Sequence, residues 1–201
     1  MMHDVASELA GFVGRYTAAY PELLEPFDPD WRSPCERGEP FVGPGGTRLV
    51  RWQPVRRPAF QREDGDFAGL ERALEVPIHA DIKAYYGSYW SAGLEATAPD
   101  GHVSLIFLWN REDADRLIEN LIGHSIAKRR ARSPFTVFFA CTEPESELFL
   151  SIDNASGAVM LEKPGHKPLR RVADSLAEFL TRLEPAPPDL HPERRAILGQ
   201  R

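Results

Sequence analysis

The chain has 201 residues, 42% of them hydrophobic and 10% aromatic, which is enough for one domain with a substantial core. A formal net charge of −6, from 30 acidic and 24 basic residues, argues against non-specific nucleic-acid binding, which needs a basic field. The two cysteines, Cys35 and Cys141, form neither a CxxC pair nor a disulfide framework, which suits a reducing cytosol, and no window approaches the roughly 20 apolar residues of a membrane-spanning helix.

Taken in order, residues 4–20 read as a helix with Leu9, Phe12, Val13, Tyr16 and Tyr20 on one face and Pro21 at its end. With no basic leader region and no long apolar run, this start is not expected to be a signal peptide. Residues 21–47 are rich in Pro and Gly and read as an irregular segment wrapping the core. Gly43-Pro44-Gly45-Gly46 is a turn rather than a phosphate loop, because no Lys-Ser/Thr follows it. Residues 49–53 alternate as a short strand that Pro54 stops, and 55–66 form a polar connector. Helices follow at 67–75 and 79–86, separated by Pro77. Residues 94–98 and 103–108 form a hairpin around Pro99-Asp100-Gly101.

The next stretch organises the rest: a strand at 105–109, a long amphipathic helix, and a strand at 135–141. Asn110 is placed to cap the helix, with Asp113 three residues later to complete a capping box. Glu112, Asp113 and Asp115 lie at the positive end of the helix dipole, and Lys128, Arg129, Arg130 and Arg132 at the negative end. Ala114, Leu117, Ile118, Leu121 and Ser125 make the buried stripe, widened by Ile122 and Ile126, and Pro134 forbids a continuous helix into the second strand. A second hairpin, 147–153 and 158–162, turns at Asn154-Ala155-Ser156-Gly157. A helix over 172–183, with Leu176, Phe179, Leu180 and Leu183 inward, closes a domain spanning 1–185, and 186–201 form a tail. The fold class is α+β: a mainly antiparallel sheet of about six strands flanked by helices. Leu117, Ile118, Leu121, Phe138, Phe139, Leu148, Leu150, Ile152, Leu176, Phe179 and Leu180 are expected to be buried.

Catalytic signatures are missing. No HExxH, no Cys/His cluster and no Gly-x-Ser-x-Gly elbow occurs among the 201 residues. The expectation is therefore no metal, no cofactor and no cluster of His with carboxylates at ligand distance. His124, near a helix C-terminus, is expected to bond a carbonyl or a neighbouring loop. Charge is more informative: residues 63–125 hold twelve Asp/Glu against four Lys/Arg, a net of −8, while the whole chain is only −6. This is either a solvated acidic face or a concave acidic surface for a basic partner. Tyr85, Tyr86, Tyr89, Trp90 and Trp109 suit either the rim of such a surface or the core. The candidate surface comprises Glu71, Glu75, Asp81, Glu95, Glu112, Asp113 and Glu119, with Asn120 and His124 beside them. Glu112 and Asp113 have the alternative of serving the helix cap, and Glu71 that of bonding backbone near Pro77.

The stretches ERALEVPIHADIKAYY (71–86), WNREDADRLIENLIGH (109–124) and RSPFTVFFA resemble the Syd family of bacterial SecY-interacting proteins. So do Ser33-Pro34-Cys35, Trp52-Gln53-Pro54, the stretch from Asp153-Asn154 to Gly157, and SLAEFLTRL from Ser175. The resemblance covers about residues 5–185, and Glu119-Asn120-Leu121-Ile122-Gly123-His124 is its most specific part. The Glu71, Leu74, Pro77 pattern is similar to the wider SUKH (Smi1/Knr4-like) superfamily. The resemblance implies a non-enzymatic, monomeric protein that binds basic cytoplasmic loops of SecY. It also implies peripheral association with the cytoplasmic side of the inner membrane, a regulatory or monitoring role in translocon assembly, and no nucleic-acid partner. Two other classes stand beside it: an immunity-type protein of the same superfamily neutralising a basic toxin, and an enzyme of unknown type.

Overall fold

The structure, a computed structural model, describes residues 4–58, 67–143 and 146–198. Of the polar connector, residues 59–66 lie outside the described residues, and with them Glu63, Asp64 and Asp66 of the acidic segment.

Helix α1 (Val5–Ala19) begins where the Asp4 carboxylate accepts the Ser7 N–H at 3.1 Å, and it buries Val5, Leu9, Phe12, Val13 and Tyr16. Residues 21–47 contain two strands where the sequence suggested an irregular wrap. Strands β1 (Leu23–Pro26) and β2 (Glu36–Val42) flank β3 (Arg48–Trp52) in a three-stranded antiparallel sheet of order β1-β3-β2. Both are edge strands, where Pro26 and Pro40 are tolerated because a missing N–H can face away from the ladder. A two-residue strand β4 (Val55–Arg56) pairs with β5 (Tyr89–Trp90). Between them lie α2 (Ala68–Leu74) and α3 (Ala80–Ser88).

The main sheet has seven antiparallel strands. After β6 (Leu94–Ala98) and β7 (Gly101–Leu105) the chain runs through α4 (Arg111–Arg130) to β8 (Thr136–Cys141), then β9 (Phe149–Asp153), β10 (Val159–Glu162) and β11 (Arg170–Ala173). Helix α5 (Leu176–Thr181), β12 (Glu184–Pro185) and α6 (Pro192–Leu198) follow. The strand order is β11-β10-β9-β8-β7-β6-β12. The fold is thus α+β, as the sequence indicated. The helix expected over 172–183 is shorter: Val172 and Ala173 belong to β11, and α5 starts at Ser175, whose side chain accepts the Glu178 N–H while Glu178 accepts from Asp174 N. That capping box forces the break.

Helices cover both faces of the sheet. Phe138 and Phe139 are neighbours on β8 where its register shifts against β9, and their rings meet different layers. Phe138 meets His124 of α4, whereas Phe139 meets Tyr85 of α3 and Phe179 of α5. Helix α1 packs on α3 and α5, and α2 packs on α4. Tyr85, Tyr86, Tyr89 and Trp90 are buried, which decides the aromatic cluster as core rather than rim. Leu117, Leu121, Phe139, Leu150, Ile152, Leu176, Phe179 and Leu180 are buried as expected, while Ile118, Phe138 and Leu148 are only half-buried. Among the described residues no helix is long and apolar enough to cross a membrane.

Candidate functional site

Both ends of α4 are fixed by side chains that the sequence singled out. At its start Asn110 Oδ1 accepts the Asp113 N–H at 2.9 Å, and the Asp113 carboxylate accepts the Trp109 N–H at 3.0 Å, so the two ends of the cap satisfy each other. Ser33 donates its hydroxyl to the Trp109 carbonyl at 2.5 Å, and Asn110 donates its amide to the Arg32 carbonyl at 2.9 Å. Trp109 donates its indole N–H to the Trp31 carbonyl and packs edge-on against Trp52. The Ser33-Pro34-Cys35 and Trp52-Gln53-Pro54 stretches therefore hold the entry to α4. Near its other end, Arg129 reaches the Leu74 carbonyl of α2 at 3.3 Å. The loop after β9 fixes the link from α2 to α3: buried Asn154 accepts the His79 N–H and donates to the Pro77 carbonyl. Gly157 sits under the His79 ring with a φ of 76°. A Cβ there would come 2.6 Å from the imidazole, so both conformation and space demand glycine.

The helix shows two unlike sides. Ala114, Leu117, Leu121, Ser125 and Lys128 are buried. The opposite side presents Glu112, Asp115, Glu119, Gly123, Ile126 and Arg130 on successive turns, all exposed, over about 30 Å. Gly123 has no atom outside its own helix within 4 Å of where a Cβ would stand. A glycine inside an exposed helix costs roughly 0.5–1 kcal/mol against alanine, and packing within the domain gives no reason for it. Ile126 is 45% exposed, unusually open for so large an apolar side chain.

The sequence-derived acids divide accordingly. Glu112, Glu119 and Asn120 are exposed on α4. Glu75 is exposed just past α2, in the left-handed region at φ 55°, and half-buried Asp81 lies in the first turn of α3. Among the described residues these four carboxylates, Glu75, Asp81, Glu112 and Glu119, have no ion-pair partner. Glu71 bonds the Ile78 N–H and Lys83, both at 2.8 Å, and so takes its alternative role near Pro77. Asp113 serves the cap. Glu95 lies on β6 beside the tail rather than on α4, with its side chain only 12% exposed. His124 is half-buried against Phe135, Phe138 and Phe149, with Nε2 3.2 Å from Thr136 Oγ1.

Burial, and then the neighbouring Lys128 ammonium, hold the His124 imidazole below its ordinary value of 6.5. The unfolded chain therefore takes up a proton that the folded one refuses. The stability this residue supports is complete above about pH 6.5 and falls as pH drops below it. Denaturation midpoints measured from pH 8 to 5 should fall less steeply in His124→Gln than in the parent chain.

Two groupings were not foreseen. Lys128, assigned by the sequence to the helix dipole, is buried and paired with buried Glu162. The expected absence of a His–carboxylate cluster is also overturned. Glu95, His102 and His191 bring their ligand atoms within 4.8 Å of one another, because β6–β7 register sets Glu95 opposite Ser104 and diagonal to His102, and the segment after β12 returns across them. Helix α6 continues that return, packing on β1, with Arg194 ion-paired to Glu25.

The family model described as Syd protein (SUKH-2) matches residues 6–185. Protein Syd of Pseudoalteromonas atlantica is 38% identical over 193 residues, covering 94% of this chain and all of that relative. Protein Syd of Colwellia psychrerythraea is 40% identical over 161 residues, 78% of each chain. Protein Syd of Hahella chejuensis is 48% identical over 119 residues, 59% of this chain and 61% of its own.

Proposed function

The chain belongs to the Syd family, and from that premise we propose that it is a non-catalytic binding protein that docks on the cytoplasmic side of the SecY translocon and monitors or regulates its assembly. The observation that carries this reading is the uncovered side of α4: Glu112 and Glu119, without ion-pair partners among the described residues, and Asp115, paired with Arg111 one turn back, are followed by Gly123 and Ile126, all exposed. Cytoplasmic loops of membrane channels carry an excess of Lys and Arg, so an acidic helix face is their electrostatic complement. Gly123 lets a partner's backbone approach closely, and Ile126 supplies apolar contact at the edge of the charged stripe. The net charge of −6 also disfavours bare anionic lipid, so that association with the membrane passes through the channel.

The test is binding to SecY in nanodiscs. Glu112→Lys with Glu119→Lys should slow association by about tenfold or more and flatten its salt dependence, since charges at such a surface mainly set the on-rate. Gly123→Ala should act with opposite signs on two measurements: it should stabilise the domain by about 0.5–1 kcal/mol and weaken binding. A folded double reversal that binds as fast as the parent at low salt would move the interface elsewhere.

A further inference from the structure

We infer that Glu95, His102 and His191 form a binding site for a divalent transition-metal cation, zinc in the first instance, that pins the segment after β12 to the β6–β7 hairpin. Both imidazole Nε2 atoms converge on one oxygen: Glu95 Oε2 lies 2.6 Å from His102 Nε2 and 3.2 Å from His191 Nε2. The other oxygen, Oε1, accepts the Ser104 hydroxyl at 2.8 Å, which fixes the carboxylate's orientation, while the buried Nδ1 of His102 has no hydrogen-bond partner among the described residues. The two imidazole rings stand perpendicular with centroids 5.0 Å apart. Two imidazoles bound through nitrogen at 2.0–2.1 Å to one tetrahedral ion have centroids roughly 5 Å apart. Donor atoms on such an ion stand roughly 3.3 Å from one another, so the His191–Glu95 distance of 3.2 Å already fits, the His102–Glu95 distance of 2.6 Å needs to open by about 0.7 Å, and all three donors lie within 4.8 Å of one another.

Two histidines and a glutamate are a zinc donor set with one position left for water. The site is reached from solvent on its Glu95 and His191 side. Glu95 and His191 line a cavity of about 650 Å³ whose wall also includes Tyr20, Trp52, Gly93 and Asp189. All three side chains are mostly covered, at 12%, 6% and 24% exposure for Glu95, His102 and His191, so an ion held there is shielded from competing water. The site draws on two strands and a segment that is remote in sequence, so occupancy links the C-terminal residues to the sheet. It stands apart from α4 and does not depend on the partner reading.

The experiment is metal uptake by the full chain. Metal-stripped protein is dialysed against micromolar zinc sulfate and its metal content measured, and a parallel sample is titrated with cobalt(II) and followed by visible absorption. The expected result is one equivalent of zinc, a raised melting temperature, slower proteolysis of the chain after Pro185, and cobalt bands of tetrahedral nitrogen and oxygen ligation without a thiolate charge-transfer band. His191→Asn, at a part-exposed position, and Glu95→Gln should each weaken uptake at least tenfold. Failure of the parent chain to retain zinc would overturn the site. So would unchanged uptake by both variants, or a thiolate band pointing to Cys141; the cobalt spectrum of the parent chain decides even where a variant folds poorly.

Discussion

Replacing Lys128 by Met should destabilise the domain by about 3–5 kcal/mol, far more than its place in a run of basic residues suggests. Lys128 is 5% exposed and Glu162 0%. The Lys128 ammonium bonds Glu162 Oε2, and Ser151 donates its hydroxyl to Glu162 Oε1 at 2.5 Å, so both carboxylate oxygens have a side-chain partner. Removing the lysine leaves a buried carboxylate without its counter-charge, and the desolvation already spent on it is no longer offset. Exchanging the whole group, Lys128→Met with Glu162→Leu and Ser151→Ala, should recover most of the loss, because an apolar substitute of similar volume needs no partner. Chemical denaturation of both variants measures this. A single substitution costing under about 1 kcal/mol would mean that water reaches the pair. The pair ties the last turns of α4 to the end of β10, and His124 one turn earlier packs on the same sheet face. Together they fix which side of the helix is left outward.

How far this arrangement is legible in the sequence depends on whether the signal is local. Helix α4 is legible because its cap and the Ala114, Leu117, Leu121, Ser125 stripe lie within the same short stretch and agree, although Ile126, read as widening that stripe, stands on the exposed side. The turn at Asn154–Gly157 is legible for the same reason, although its second task, holding the His79 backbone, is not. Strands β1 and β2 were hidden by Pro26 and Pro40, which read as breakers unless the strand is known to lie at an edge. Strand β11 was hidden because Val172, Leu176, Phe179, Leu180 and Leu183 imitate one continuous helical stripe, and only the Ser175 capping box separates strand from helix. Lys128 and Glu162 gave no sign of their pairing: each charge had an adequate surface explanation, and the pairing depends on which face α4 turns to the sheet. Glu95, His102 and His191 were illegible for a related reason. Alternation along β6 and β7 gives the faces of the strands, but the approach of His191 is set by the path of the chain after β12. Of the acidic candidates, the exposed residues of α4 were the easiest to place, since helical spacing alone puts Glu112 and Glu119 opposite Leu117 and Leu121.

Leu121→Ala should cost roughly 2–5 kcal/mol, whereas Glu119→Ala should change stability by no more than about 0.5 kcal/mol. The two residues are two positions apart on one helix, so local helix propensity does not explain the difference; alanine is the better helix former at either site. What differs is the side of α4 each occupies. Leu121 is 0% exposed within the continuous core cluster, and truncating it removes apolar contact and leaves a cavity that a helix capped at its start by Asn110 and Asp113 and paired near its end through Lys128 cannot close by shifting. Glu119 is exposed and without an ion-pair partner among the described residues, so its removal disturbs little but solvent. Paired measurements of urea denaturation and SecY association separate the helix's packing from its proposed docking role. Leu121→Ala should lower the denaturation midpoint and, in the fraction that remains folded, bind nearly as the parent does. Glu119→Ala should leave the midpoint in place and slow association. A large loss of stability in Glu119→Ala would mean that this side of α4 is covered after all, and a mild effect of Leu121→Ala would mean that the helix is not held against the core as its burial requires.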